Sequence, residues 1–74
     1  MRNQVGLGPV IRRLRQRAAL SQEELAHRAG IHHTHLSQLE RGLKSPTVDT
    51  LERLAKALGT TASKMLRQSE RDKN

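Results

Sequence analysis

The stretch Leu20–Gly42, L-S-Q-E-E-L-A-H-R-A-G-I-H-H-T-H-L-S-Q-L-E-R-G, decides the fold. It reads as two short amphipathic helices separated by a tight turn. Ser21 stands at the N-cap of the first and Glu24 follows three residues later. This is a capping box: the serine hydroxyl accepts the Glu24 backbone N–H, and the Glu24 carboxylate reaches back to the N–H of Ser21. Glu23 and Glu24 also complement the positive end of the helix dipole. Leu25, Ala26 and Ala29 form the apolar side. Gly30 ends the helix, because glycine takes the left-handed conformation needed just past a C-terminus. Ile31 is the apolar residue of the turn.

The second helix is expected from His32 or His33 to Arg41. Its apolar stripe is Leu36 and Leu39, with Ile31 leading in and Leu43 trailing. At about 100° per residue, His33, Thr34, Ser37, Gln38 and Arg41 fall on the opposite face. That face carries one charge and is rich in groups that both donate and accept hydrogen bonds. A solvated helix face more often carries Glu–Lys pairs at i,i+4 spacing. Two readings are open on the residues alone: a merely solvated face, or a face built for a partner.

Working outward, Pro9 suits the first turn of a preceding helix, where its missing N–H is not needed. That helix is expected to run through about Ala18 and to bury Val10, Ile11, Leu14 and Ala18. After Gly42, the segment Leu43-Lys44-Ser45-Pro46 reads as a loop. Thr47 is the N-cap of a fourth helix, with Thr50 where a full capping box would place glutamate. Val48, Leu51, Leu54, Ala55 and Leu58 are its expected buried stripe, and Gly59 closes it. Thr61 caps a short fifth helix bearing Met65 and Leu66. Residues 1–6 read as a flexible terminus, where a frayed end is preferred to a partner-contacting arm, 7–66 as the folded domain and 67–74 as a polar tail.

A chain of 74 residues supports one small domain with a modest core. With no Phe, Trp or Tyr, that core is made of Leu, Ile, Val, Ala and Met, which suits a helical bundle. The lack of aromatics also argues against single-strand binding by base stacking. No cysteine is present, which excludes disulfides and zinc-thiolate fingers. No apolar run is long enough to span a membrane, and no signal-peptide core follows Met1. Fourteen Lys and Arg against seven Asp and Glu give a net charge of +7. Five arginines and no acid lie between Met1 and Leu20. A polyanion is the natural partner of such a chain, although an acidic protein or an anionic membrane surface satisfies the same arithmetic.

The patterns L-S-Q-E-E-L-A, A-G-I and L-S-Q-L-E-R-G resemble the phage repressor and Cro-type helix-turn-helix proteins, also called the XRE family. The likeness continues through Ile11-Arg12-Arg13-Leu14-Arg15 on one side. On the other it takes in Ser45-Pro46-Thr47 with Leu51, Leu54, Ala55, Ala57, Leu58 and Gly59. It covers residues 7–66 in one register without gaps, which is far more specific than a short motif. The resemblance implies an all-α, compact five-helix, lambda-repressor-like DNA-binding domain. It implies that the second helix of the motif enters the major groove, where each base pair shows a distinct donor and acceptor pattern. His33, Thr34, Ser37 and Gln38 are then the expected base contacts. Gln22, Arg12, His32, Arg41, Lys44 and Ser45 are the expected contacts to phosphate. Arg15 and Glu40 are the expected structural ion pair, against the alternative that Arg15 is one more solvated cation.

The same resemblance implies a homodimer on a two-fold symmetric operator, with half-sites about 34 Å apart. Leu58, Thr60, Met65 and Leu66 are its expected dimer patch; the alternative for Met65 and Leu66 is that they complete the core. One departure stands out: the family usually has Ser or Thr where this chain has His32, and histidine is a poorer N-cap. Either His32 contacts phosphate or the helix begins one residue later.

His27, His32, His33 and His35 raise the question of a metal, but the four do not converge and no carboxylate or cysteine completes a set. No metal or cofactor is expected, and the histidines are read as hydrogen-bonding surface. No catalytic constellation or glycine-rich phosphate loop is present, so the chain reads as a non-enzyme. The expected function is a cytoplasmic, nucleoid-associated regulator that binds double-stranded DNA, with no membrane contact and no small-molecule ligand. The alternative is an antitoxin-like or adaptor module that uses the same helices to hold a partner protein.

Overall fold

The computed structural model describes residues 6–71. The expectations for residues 1–5 and 72–74, as parts of a flexible terminus and a polar tail, lie outside the described residues. Among those described, five helices follow one another: α1 (Leu7–Arg17), α2 (Gln22–Ala29), α3 (His33–Glu40), α4 (Val48–Ala57) and α5 (Ala62–Arg71). This is the all-α, five-helix fold expected of the sequence.

Each helix end has a local cause. At α2, Glu24 N–H donates to Ser21 Oγ at 3.0 Å and Ser21 N–H donates to Glu24 Oε1 at 2.8 Å, completing the capping box. Gly30 ends α2 with φ of 73°, and Ile31 N–H returns to the Ala26 carbonyl at 2.9 Å. At α4, Thr50 N–H donates to Thr47 Oγ1 at 3.1 Å, and the Thr50 hydroxyl lies 3.0 Å from the same oxygen. Lys64 N–H donates to Thr61 Oγ1 at 3.2 Å and starts α5.

The core gathers one stripe from each helix. Val10 and Ile11 of α1, Leu25 of α2, Leu36 of α3, Leu54 of α4 and Met65 of α5 are all fully buried. α2 and α3 pack on each other; α4 covers α2, while α1 bridges α3 and α5. The α2–turn–α3 unit is therefore held from behind by α1 and α4, and its other side is open.

Three expectations are corrected. Ala18 is exposed and serves as the C-cap of α1, which stops at Arg17. Ala19 then turns left-handed at φ of 59°, and Leu20 N–H closes on the Arg15 carbonyl at 3.1 Å, so the chain leaves the core before Ala18 can enter it. Val48 is 74% exposed instead of buried. It occupies the first helical position of α4, and a helical side chain leans toward the N-terminus, which here is the exposed 43–47 loop. Helix α5 continues past Leu66 to Arg71. Ser69 returns to the buried side that holds Met65, and its hydroxyl donates to the Leu66 carbonyl at 2.8 Å. Arg13 of α1 also donates to Gln68 Oε1 at 3.3 Å, so residues 67–71 belong to the domain and not to the tail.

Candidate nucleic-acid interface

The open side of α2–turn–α3 is built from α3 upward. Its start is set by His32, whose extended backbone precedes the helix and whose Nδ1 accepts the Thr34 N–H at 3.1 Å. Histidine thus caps the helix here, which starts directly after it, at His33, with no later start. The His33 ring stacks on that of His32, with centroids 5.0 Å apart and planes 23° off parallel. His33 and Thr34 are exposed, while Ser37 and Gln38 are half-buried along the same side. Among the described residues, the side chains of His33, Thr34, Ser37 and Gln38 make no intramolecular hydrogen bond. His35 is half-buried and His27 exposed, and no metal-binding group of three or more His, Asp or Glu forms among the described residues.

The opposite side of α3 is locked. Arg15 Nε donates to Glu40 Oε2 at 2.7 Å and Arg15 Nη2 to Glu40 Oε1 at 3.1 Å, a two-pronged ion pair. Arg15 Nη1 donates to the Leu20 carbonyl at 2.9 Å. Side-chain exposure is 12% for Arg15 and 3% for Glu40. The hydrogen bond to Glu40 raises the Arg15 pKa above its already high ordinary value, and the Glu40 charge adds to this against the opposing effect of burial. Gln22, the first residue of α2, donates from Nε2 to Glu40 Oε1 at 3.1 Å. Glu40 therefore ties α1, α2 and α3 together. The Gln22 amide has a second N–H, which this bond leaves available.

Arg41, Lys44 and Ser45 are all exposed. With Gly6, Leu7, Gly8 and Pro9 at the start of α1, they line a cavity of about 460 Å³ beside the end of α3. Arg12 is exposed on α1 but does not line that cavity. The structure thus groups His32, His33, Thr34, Ser37 and Gln38 along α3 and gathers Arg41, Lys44 and Ser45 at its far end. It turns one donor of Gln22 inward.

In the expected dimer patch, Leu58 and Thr60 are half-buried and Leu66 is 45% exposed. Met65 is fully buried, which corrects its place there: it has no surface to offer a second copy.

Gly8 was missed by sequence reasoning. A Cβ there would sit 2.7 Å from the backbone oxygens of both Leu39 and Glu40. The start of α1 therefore lies directly against the end of α3, and only glycine allows the approach. The available signal was a glycine inside the first turn of a helix.

Comparison with known proteins places this geometry. An HTH-type transcriptional regulator of Sinorhizobium fredii, y4dJ, is 47% identical over 55 residues, covering 74% of this chain and 71% of that one. The control protein C.BamHI of Bacillus amyloliquefaciens is 35% identical over 60 residues, covering 80% and 74%. Two Mycobacterium tuberculosis HTH-type regulators are 46% identical over 55 residues, but the match spans only 39% of their length. Among solved structures, the biofilm regulator SinR in complex with DNA superposes with a TM-score of 0.79 at 31% identity, covering 82% of this chain and 98% of that one. The helix-turn-helix family HTH_3 matches residues 11–65, and the chain belongs to that XRE-type family of transcriptional regulators.

Proposed function

We propose that this protein is a sequence-specific regulator of transcription that lays α3 in the major groove of duplex DNA. One observation carries the reading: among the described residues, α3 presents a row of polar side chains with no intramolecular hydrogen bond, on a helix whose other face is tied down by the Arg15–Glu40 pair. Gln38 pairs with adenine through its amide, Thr34 offers its methyl to thymine, and His33 and Ser37 complete the row. Arg41, Lys44 and Ser45 grip the phosphates beside the far end of the helix, and Arg12 adds a cation on α1. Gln22 keeps one N–H for a phosphate at the start of α2, while its other donor stays on Glu40. The net charge of +7 supplies the attraction that is independent of sequence.

The active species is a homodimer on a two-fold symmetric operator, since one module makes few base contacts and two multiply their affinity. Leu58, Thr60 and Leu66 are the residues proposed to pair. The named relatives support this reading, as C.BamHI is a control protein and SinR is solved with DNA bound. Action on cytoplasmic DNA follows from it, and no helix among the described residues is long and apolar enough to cross a membrane.

The test is selection of binding sites from a random-duplex library at two salt concentrations. The proposal expects an enriched palindrome with half-sites about 34 Å apart. Binding that is weak, strongly salt-dependent and without any enriched sequence would overturn it, and would turn attention to an adaptor that holds another protein.

A further inference from the structure

The sequence leaves a phosphate contact or a later helix start at position 32; the structure makes His32 the cap, and its geometry is compatible with the phosphate contact as well. Thr34 N–H donates to His32 Nδ1 at 3.1 Å. A ring nitrogen that accepts a hydrogen bond carries no proton, so the neutral imidazole holds its proton on Nε2. Nε2 lies on the far side of the ring from Nδ1, so its N–H is directed away from the start of α3, from a side chain that is exposed. The stacked ring of His33, 5.0 Å away, holds the plane of the imidazole. The backbone is anchored as well, because the His32 carbonyl accepts the Leu36 N–H at 3.1 Å.

We infer that His32 uses both ring nitrogens at once, Nδ1 to hold the first turn of the recognition helix and Nε2–H to donate to a DNA phosphate. The inference rests on the DNA-binding reading above and adds a positioning role to it. A phosphate is the fitting acceptor because residue 32 precedes the helix: when the N-terminal part of α3 enters the groove, the residue before it lies at the groove's edge, where the backbone runs. The contact comes from a neutral donor. It therefore adds affinity without releasing a further counterion, unlike the contacts of Arg41 and Lys44. A capping serine or threonine has a single oxygen for both tasks, whereas an imidazole divides them between two atoms with fixed directions.

The test uses the full 74-residue chain, made by chemical synthesis, with one of two isomeric methylhistidines in place of His32. Both are compared with wild type and with His32→Asn at pH 8, by urea unfolding and by binding to the selected duplex over a salt series. Nε2-methylhistidine keeps the cap and removes the outward donor. It is expected to unfold at the wild-type midpoint and to bind about tenfold more weakly, with an unchanged salt slope. Nδ1-methylhistidine blocks the cap and is expected to lower the unfolding midpoint. His32→Asn supplies an oxygen for the cap and an N–H for the phosphate, and is expected to restore both properties.

Full binding by the Nε2-methyl chain would overturn the phosphate contact. An unchanged midpoint in the Nδ1-methyl chain would overturn the cap. A salt slope that falls by about one on Nε2 methylation would show a cationic contact and overturn the neutral donor. A wild-type chain that binds no duplex sinks the DNA reading together with the phosphate contact, and the unfolding comparison still decides the cap.

Discussion

On its inner side α3 lays Leu36, Leu39 and Glu40 against α1 and α2, none more than 8% exposed. On its outer side the same short helix shows His33, Thr34, Ser37 and Gln38 to solvent, with no intramolecular hydrogen bond from their side chains among the described residues. The inner face is apolar but for one carboxylate, and what separates that carboxylate from the outer polar groups is satisfaction. Glu40 accepts from Arg15 twice and from Gln22 once, because a buried carboxylate without partners would be strongly destabilising. The outer groups face water and need no partner to be stable. A helix held rigidly on one side can therefore hold a pattern of donors and acceptors ready on the other, so that less ordering is needed on binding.

Replacing Glu40 is the largest break that the comparison allows. Glu40→Ala leaves the Arg15 guanidinium, only 12% exposed, without its carboxylate. The expected loss is about 3 kcal/mol or more in urea unfolding, a large share of a small domain's stability. An apolar pair, Arg15→Met with Glu40→Leu, should recover much of it, since the cost lies in leaving one charge unpaired. A loss below about 1 kcal/mol for Glu40→Ala would mean that the pair behaves as a surface contact and does not anchor α3.

Gly8→Ala probes the same inner face through packing. The added Cβ would meet two backbone oxygens at 2.7 Å, and backbone cannot swing aside as a side chain can. A loss of about 1–3 kcal/mol is expected, read as a lower unfolding midpoint. A midpoint at or above wild type would show that α1 slides off α3 without cost.

The outer face should answer in the opposite way. Gln38→Ala is expected to change unfolding by no more than about 0.5 kcal/mol. In a panel of duplexes with single base changes, it should relax discrimination at one base pair by about 1–3 kcal/mol. Uniform weakening across all sequences would move Gln38 from base reading to phosphate contact.

The smallest effect sharpens the comparison at the start of α2. The Glu24 carboxyl is held below its ordinary value of 4.5, first by the backbone N–H of Ser21 and then by the Ser21 hydroxyl. A carboxyl depressed by folding adds stability at pH above its unfolded value, and that stability fades as pH falls through the folded one. Glu24→Gln keeps an oxygen for the box but cannot titrate. The variant should thus match wild type near pH 7 and show a slightly flatter loss of stability below about pH 4.5, measured by urea midpoints across pH.

The parts of the fold that were legible in the sequence are those with local causes. The Ser21–Glu24 box, the Thr47 and Thr61 caps and the Gly30 stop each depend on residues within one turn, and each stands where the pattern put it. The outer face of α3 was legible for the same reason, as periodicity alone assigns residues to sides of a helix. Arg15 and Glu40 are 25 residues apart, with the whole of α2 and two connections between them, and only the likeness to the family pointed to their pairing. His32 was legible as a departure but not as a cap, because the sequence does not show which nitrogen turns inward.

By itself, then, the sequence determined the five helices, the capped starts of α2, α4 and α5, the Gly30 stop, the polar side of α3 and the cationic balance, since all of these follow from neighbours along the chain. The tertiary structure decided which of two adjacent apolar residues enters the core: Met65 is fully buried and Leu66 is 45% exposed, a choice set by the rotation of α5 against α1 and α4. It decided that Val48 stays outside, that Ser69 goes in and that Gly8 sits beneath the carbonyls of Leu39 and Glu40. Each of these depends on where a second helix lies, and that position is set by the packing of the whole core at once.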